Sequence, residues 1–126
     1  MILLDTSVII ELFRKKDKKQ TLFYAISKNE PQLCISAISH YEISIGNRES
    51  HREFWEELQK LITVIPFDES CSMAATDIYI NLKKRNKMID LADLLIGATA
   101  VAKNIPIPTL NVKHFNRIFG LKIFEP

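Results

Sequence analysis

Three carboxylates, Asp5, Glu42 and Asp93, stand beside apolar residues in the sequence. A carboxylate in apolar surroundings loses its hydration, so it must pair with a cation or bind a metal ion to remain charged. Oxygen ligands without histidine or cysteine are the set that Mg²⁺ and Mn²⁺ take. Such ions neutralise charge on a phosphoryl oxygen and lower the pKa of a water molecule. These residues therefore indicate metal-assisted hydrolysis of a phosphodiester.

Asp5 follows a short apolar run, Ile2–Leu4, which is typical of a strand covered on both faces. The next segment has apolar residues at helical spacing, so Asp5 is predicted to lie at the carboxyl end of a strand. Ligands of open α/β sheets bind at that edge. The alternative is that Asp5, Thr6 or Ser7 only caps the helix. The acidic residues at comparable positions downstream favour a binding site.

Glu42 shares one predicted helix face with apolar residues. Ile38, Tyr41 and Ile45 surround it at helical intervals, so that the four positions follow the pattern i, i+3, i+4 and i+7. A glutamate on an apolar face is directed inward, where its charge needs a partner. We therefore expect the Glu42 carboxylate to point into the protein.

Asp93 is the single charged residue between Leu91 and Ala102. A helix that is apolar on every side is predicted to be buried all round, as a helix between layers of an α/β domain would be. Asp93 stands in the first turn of this helix, where the helix dipole favours an anion. Gly97 and Ala100 lie on the same face and are expected to leave space beside the carboxylate.

Three further polar residues stand near these acids in the sequence. Asp90 precedes the Asp93 helix at the N-cap position, and capping is its first interpretation, with metal ligation as the alternative. Asn111 ends a predicted strand, Ile107–Leu110, and is expected to join the carboxylates as a neutral ligand. His114 has no His or Cys partner at metal-ligand spacing, so we interpret it as a surface or phosphate-facing residue.

Short apolar runs alternate with helical segments along the chain, which predicts a three-layer α/β fold. The strands are expected to form a parallel central sheet with helices on both faces, and residues 1–126 are expected to form one domain. The candidate ligands then converge at one edge of the sheet. These ligands are Asp5, Glu42, Asp93 and Asn111. The predicted strands are Ile2–Leu4, Leu33–Ser36, Thr63–Phe67, Ile107–Leu110 and Leu121–Phe124.

The composition is that of an ordinary globular protein, with 47% hydrophobic and 25% charged residues. The net charge of +2 is too small to indicate nucleic-acid binding by itself. Cys34 and Cys71 stand among apolar neighbours and are interpreted as reduced core residues of a cytoplasmic protein. No apolar run reaches membrane-spanning length and no signal peptide fits before the first strand, so we expect no membrane association.

Basic residues cluster where the long helix before Asp90 is predicted to end. Cations complement the dipole at a helix C-terminus, so this cluster is interpreted either as a solvated helix end or as a contact for the phosphates of a nucleic acid. Lys113 adds a positive charge in the loop after Asn111. The cluster consists of Lys83, Lys84, Arg85 and Lys87.

Four segments together resemble the PIN domain, in particular the VapC toxins of bacterial and archaeal toxin–antitoxin pairs. They are MILLDTSVIIELF, ISAISHYEISIG, DLLIGATAVAKNIPIPTLNVKHFNRI and GLKIF, which span nearly the whole chain in this order. The combination is specific, although each motif alone is weak. The resemblance implies a parallel sheet between helices and endoribonuclease activity that depends on Mg²⁺, with Mn²⁺ as a substitute.

The resemblance also implies roles for individual residues. The acidic metal-binding and catalytic residues are Asp5, Glu42 and Asp93, and Asn111 stands where many members carry a fourth acid and others carry Asn. The chain departs from the family in the stretch before Asp93, residues 88–91, where relatives often carry a glycine; this stretch contains Asp90, a further candidate ligand. Polar groups that orient a carboxylate or a water molecule are implied at Thr6, Ser7 and Thr109.

Three partners follow from the resemblance: an RNA substrate, a small VapB-like antitoxin and a second copy of the chain in a homodimer. The first two helices carry more apolar residues than one face can bury, so part of them is expected to form a groove for an amphipathic helix of the antitoxin. An antitoxin Arg would fit the acidic site as a bidentate ion pair. The apolar residues concerned are Val8, Ile9, Leu12, Phe13, Leu22, Phe23 and Tyr24.

Other classes of protein fit the sequence less well. A haloacid-dehalogenase-type phosphatase needs a second Asp two residues after the first, where this chain has Ser7. A phosphoacceptor receiver domain needs a paired acid near its start and a late strand that ends in Lys rather than Asn111. A non-catalytic PIN-fold binding module would be expected to lose its acids. A PIN nuclease of RNA processing, or one directed at DNA, remains the nearest alternative.

Overall fold

The fold is described by a computed structural model for residues 1–47 and 49–126. Helices and strands alternate along these residues, and none of the helices is long and apolar enough to cross a lipid bilayer. The strands are β1 (Ile2–Leu4), β2 (Leu33–Ser36) and β3 (Thr63–Ile65). The helices are α1 (Thr6–Arg14), α2 (Leu22–Ser27), α3 (Ala37–Gly46), α4 (Arg52–Gln59), α5 (Glu69–Lys84), α6 (Leu91–Lys103) and α7 (Val112–Phe115).

The three strands form a parallel sheet in the order β1–β2–β3. Leu3 pairs with Cys34, and Cys34 pairs in turn with Thr63. Because successive residues of a strand point to opposite faces, Leu3 and Cys34 join one buried cluster while Leu4 and Ile35 join another. The first cluster contains α5 and α6, and the second contains α1 and α4. The predicted parallel sheet with helices on both faces is confirmed.

Helix α6 lies innermost, as the apolar sequence around it predicts. Every residue from Ile96 to Ala100 is buried, and α6 packs along α5. The start of α6 departs most from the prediction, because Leu91 is 71% exposed, whereas Leu95, Val101 and Ala102 are half-buried. The helix ends at Lys103 and is followed by Asn104, whose φ of 54° places it in the left-handed conformation that closes many helices. Asp93 is therefore carried on a rigid, well-packed element.

The predicted fourth strand is an irregular segment that is bonded to β1 on one side. The Leu3 N–H donates to the Pro106 carbonyl at 3.0 Å, and the Asp5 N–H donates to the Pro108 carbonyl at 3.4 Å. Proline has no N–H, so this segment cannot return the bonds of a regular ladder. On its other side, the Ile107 N–H donates to the Lys122 carbonyl at 2.9 Å. The predicted last strand is likewise reduced to a parallel bridge between Ile107 and Ile123.

The apolar stripe that we expected on α3 is wrong. Tyr41 and Ile45 are 62% and 68% exposed, whereas Ser39 and Ile43 are buried. The buried face of α3 is therefore rotated away from the predicted one, and it combines the small polar Ser39 with the apolar Ile43. Glu42 is half-buried on this helix, and hydrogen bonding rather than an apolar stripe positions it.

Both cysteines are buried and free, as expected for reduced core residues. Cys34 lies in the middle strand, where burial raises the pKa of its thiol to about 11. A thiol is a poor nucleophile in that state because the thiolate is the reactive species. Cys34 therefore has a packing role in the sheet.

Gly97 brings the segment after α7 against α6. A Cβ atom at this position would lie 2.4 Å from Ile118 Cδ1 and 3.7 Å from Phe115 Cδ1. The space that we expected beside Asp93 is thus filled by these two side chains. The close approach fixes the segment that follows Asn111 over the helix that carries Asp93.

We predict that Gly97→Val destabilises the fold by about 2 kcal/mol, because the added methyl groups meet packed side chains. Gly46→Val is the matched control, since nothing lies within 4 Å of a Cβ atom there, and its effect should stay within about 0.5 kcal/mol. Urea unfolding of the two variants measures the difference. Equal stability of both variants would contradict the tight packing at Gly97.

Candidate active site

Asp5 lies directly after β1, and its carboxylate is held by hydroxyl groups from two distant parts of the chain. Its side chain is 2% exposed. Asp5 Oδ2 accepts hydrogen bonds from Ser7 Oγ and from Thr109 Oγ1, each at 2.7 Å. The Leu110 N–H donates to Ser7 Oγ at 3.1 Å, which ties both hydroxyl groups to the same loop. Ser7 and Thr109 thus orient a buried carboxylate, which is the arrangement the sequence implied for them.

The environment of Asp5 disfavours its charged form. Burial raises the pKa of the carboxyl group, and the hydrogen bonds from Ser7 and Thr109 lower the pKa only in part. The nearby charge of Asp93 raises the Asp5 pKa further. An isolated carboxylate in this position would tend to take up a proton, and a bound cation would keep it ionised.

Glu42 is joined to the same site through Thr6, the residue after Asp5. Thr6 Oγ1 donates to Glu42 Oε1 at 2.7 Å, and the Ser39 hydroxyl lies 2.8 Å from Thr6 Oγ1. Ser39 is in turn fixed by its N–H, which donates to Ser36 Oγ at 3.0 Å. This row of hydroxyl groups connects the start of α1 to the start of α3. It places the Glu42 carboxylate beside the end of β1.

Asp93 is held by the loop that contains Asn111, which follows the segment bonded to β1 through Pro106 and Pro108. Asn111 Nδ2 donates to Asp93 Oδ2 at 2.9 Å, and His114 Nδ1 lies 2.8 Å from the same oxygen. The Asn111 N–H donates to Thr109 Oγ1 at 2.8 Å, and Thr109 also contacts Asp5. A continuous chain of hydrogen bonds therefore joins Asp5 to Asp93. Asn111 lies between them, at the place where the sequence predicted a neutral ligand.

The site fits a divalent cation by the chemistry of its donors. It gathers three carboxylates and the side-chain amide of Asn111. Carboxylate and amide oxygens are the ligands that Mg²⁺ and Mn²⁺ prefer. Among residues 1–47 and 49–126, no Lys or Arg forms an ion pair with Asp5, Glu42 or Asp93. The negative charge is thus uncompensated by the described protein groups, apart from the contact between His114 and Asp93.

Asp90 and His114 both lie close to Asp93. Asp90 stands at the predicted N-cap position of α6, where its carbonyl accepts from the Leu94 N–H at 3.0 Å, but its side chain makes no cap bond. The side chains of Asp90, Asp93 and His114 are clustered. Each offers one possible ligand atom, and these three atoms lie within 4.8 Å of one another. His114 is half-buried and lies 2.8 Å from Asp93, and its contact with a phosphate stays a prediction. Asp93 and His114 are 21 residues apart, and no spacing rule connects such positions.

Two residues of the basic cluster, Lys83 and Arg85, make contacts within the protein. Arg85 Nη2 donates to the Arg117 carbonyl at 2.5 Å and Arg85 Nε donates to Asn81 Oδ1 at 3.0 Å. Lys83 Nζ lies 5.6 Å from the centre of the Tyr79 ring. Arg85 thereby pins the end of α5 to the segment after α7. All four residues of the cluster are exposed, as is Lys113, and their contact with RNA remains a prediction.

Comparison with known proteins gives three kinds of similarity. The family model of the PIN domain matches residues 2–119. Ribonuclease VapC1 of Methanocaldococcus jannaschii is 39% identical over 127 residues, which cover 98% of this chain and 87% of the relative. VapBC2 from Rickettsia felis, solved with a DNA fragment from its promoter, aligns with a TM-score of 0.85 at 25% identity and 98% coverage of both chains. A toxin–antitoxin complex from Klebsiella pneumoniae aligns with a TM-score of 0.74 at 26% identity over the whole of both chains.

We predict that Asp5→Asn stabilises the metal-free fold by a few degrees in thermal midpoint. The amide oxygen keeps both hydroxyl bonds, while the buried charge and its repulsion by Asp93 are removed. Because the folded-state pKa of Asp5 is raised, the wild type loses stability as pH rises through that pKa. The gain should therefore be present at pH 7 and vanish below about pH 4, near the pKa of an unfolded Asp.

Thermal unfolding in EDTA measures this gain. Asp77→Asn is the control, since Asp77 is an exposed carboxylate on α5, and its midpoint should stay unchanged. A lower midpoint for Asp5→Asn at pH 7 would show that the carboxylate stabilises the fold without a metal ion.

Proposed function

The chain belongs to the PIN domain family, and within it to the VapC proteins, and we propose that it is a metal-dependent endoribonuclease that acts as the toxin of a toxin–antitoxin pair. The observation that carries the proposal is the connected row of carboxylates at the end of β1, which the described residues leave without a neutralising Lys or Arg. The name of its M. jannaschii relative, a ribonuclease, supports RNA as the substrate.

The residues that would hold the ion are Asp5, Glu42 and Asp93, with Asn111 beside them. A bound Mg²⁺ or Mn²⁺ supplies stabilisation of negative charge on a phosphoryl oxygen and a lower pKa for an attacking water molecule. The chain supplies the rest. Ser7 and Thr109 orient the Asp5 carboxylate, so the site is shaped before any ligand arrives. No residue is needed as a covalent nucleophile.

Thr6 has the corresponding role for Glu42. Its hydroxyl group occupies one carboxylate oxygen of Glu42, which leaves the other oxygen to contact an ion or a water molecule. Glu42 is half-buried, so a water molecule can reach it from the open edge of the sheet. The arrangement suits hydrolysis of a strand that passes across this edge.

We predict that the purified protein cuts single-stranded or looped RNA in Mg²⁺ or Mn²⁺ and that EDTA abolishes the cleavage. Asp5→Asn and Asp93→Asn should each lower the rate by about a thousandfold, because each removes charge that holds the ion and stabilises the transition state. Asp77→Asn is again the matched control and should cut RNA at the wild-type rate. Gel analysis of a labelled RNA under single-turnover conditions measures the rates. Undiminished cleavage by Asp5→Asn would rule out the assignment.

The proposed partner is a VapB-like antitoxin, since the solved structures similar to this chain include VapBC and toxin–antitoxin complexes. Of the apolar residues expected to form a groove on the first two helices, Val8, Ile9 and Leu12 are buried in the core, and the others are half-buried. Phe13, one of the half-buried residues, lines a cavity of about 270 Å³ between α1 and the end of α3, which is available for partner contact. The cavity is lined by Ile10, Phe13, Arg14, Gly46 and His51.

An antitoxin Arg would bind in the acidic site as a bidentate ion pair with Asp5 or Asp93. Such a contact supplies the positive charge that the described residues lack there, and it excludes both the ion and the RNA. The proposed inhibition is therefore direct occupation of the catalytic carboxylates. The homodimer also remains a proposal, and light scattering of the purified chain would establish its stoichiometry.

We predict that co-expression with the product of a short adjacent gene yields a stable complex that does not cut RNA. Activity should return when the antitoxin is digested by a protease, because its free segment is disordered and the nuclease is folded. Assay of the complex before and after digestion measures this. A stable complex that cuts RNA as fast as the free protein would exclude occupation of the site. If the two proteins do not co-purify, the toxin assignment fails while the nuclease assignment stands.

A further inference from the structure

We infer that His114 is a nitrogen ligand of the ion at Asp93, with Asp90 as an outer carboxylate, and that this set makes the site select a transition-metal ion over Mg²⁺. The inference rests on the proposed function in one respect, because it takes an ion at Asp93 as given. It adds a ligand that the acidic set of the family does not contain. The choice of ion, rather than the presence of one, is what His114 determines.

The spacing of three side-chain atoms carries the inference. Asp93 Oδ2, Asn111 Nδ2 and His114 Nδ1 form a triangle with sides of 2.9, 2.9 and 2.8 Å. Two ligands at right angles, each about 2.1 Å from an ion, are about 3.0 Å apart. The three groups therefore already stand at the separation of neighbouring ligands on one face of an octahedral ion.

Hydrogen bonds cannot account for all three contacts among Asp93, Asn111 and His114 at once. The Asn111 amide nitrogen can only donate and the Asp93 carboxylate can only accept, so the contact between them is favourable. His114 Nδ1 would have to donate to Asp93 and accept from Asn111 at the same time, which no tautomer of a neutral imidazole allows. If the Asn111 amide is turned so that its oxygen faces inward, two oxygens and one nitrogen converge, and a cation satisfies all three.

Asp90 and the surrounding packing favour the same conclusion. The Asp90 carboxylate makes no cap bond to α6, and one of its atoms lies within 4.8 Å of ligand atoms of Asp93 and His114. Arg117 Nη1 donates to the Met88 carbonyl at 2.9 Å, which fastens the segment before Asp90 to the segment after α7. The two segments that carry the ligands are thus held to each other.

The donor set decides the class of ion. Mg²⁺ takes oxygen ligands and retains water, whereas imidazole nitrogen favours first-row transition metals. A site with one imidazole and several carboxylates therefore gains affinity for Mn²⁺ or Co²⁺ relative to Mg²⁺. Replacement of the imidazole by an amide oxygen should remove the preference and leave a site for hard cations.

Pulsed electron paramagnetic resonance of bound Mn²⁺ tests the inference. The wild-type protein loaded with Mn²⁺ should show modulation from a directly bonded ¹⁴N nucleus, and ¹⁵N-histidine labelling should shift its frequency. The modulation should vanish in His114→Gln and persist in His51→Gln, since His51 stacks on Phe13 away from the site. The labelled wild type keeps the test valid even if His114→Gln folds poorly.

Metal titrations supply the second measurement. In His114→Gln the Kd of Mn²⁺ should rise by about tenfold, with less than about a threefold change for Mg²⁺. Mn²⁺ bound to the wild type without nitrogen coupling, or coupling that survives in His114→Gln, would overturn the inference. RNA cleavage in that case leaves the nuclease assignment intact. Nitrogen coupling without RNA cleavage would instead confirm the site and refute the proposed activity, and failure to bind Mn²⁺ refutes both.

Discussion

The burial of one negative charge at the end of β1 is the constraint on which the rest of the structure depends. Asp5 is almost fully enclosed, and its pKa is raised by that enclosure despite two hydroxyl bonds. Its neighbours Glu42 and Asp93 add negative charge instead of relieving it. The fold supplies the energy to keep these groups together through its two apolar cores. A cation is the natural complement of such a site, because it turns mutual repulsion into shared attraction.

The positions of the carboxylates follow from a small number of backbone and hydroxyl contacts. Thr6 connects α1 to α3, and Thr109 connects β1 to the loop that bears Asn111. The carbonyl groups of Pro106 and Pro108 accept hydrogen bonds from β1. These two residues donate none to β1, because proline has no N–H group. The site is therefore assembled from helices and strands that are each rigid, and hydroxyl groups set the distances between them.

The sequence predicts those features that depend on local pattern. Asp5 ends a continuous apolar run and Asp93 interrupts an apolar helix, so both were identified as unusual placements, and the parallel sheet followed from the alternation of elements. Glu42 was identified for a reason that the structure overturns, since exposed Tyr41 leaves no apolar stripe there. The contacts of His114 depend on how α7 packs against Gly97. Such tertiary packing between segments far apart in the chain leaves no periodicity in the sequence.

The hydrogen bond between Thr109 and Asp5 spans 104 residues of chain. A ribosome adds about 5–20 residues per second, so the two partners emerge on the order of ten seconds apart. The chain emerges in the order Asp5, Glu42, Asp93, Thr109 and Asn111, so the carboxylates of Asp5 and Asp93 emerge before the residues that hold them in place. A site organised in this way stays incomplete until residues 109–111 have left the ribosome and packed against the rest of the chain.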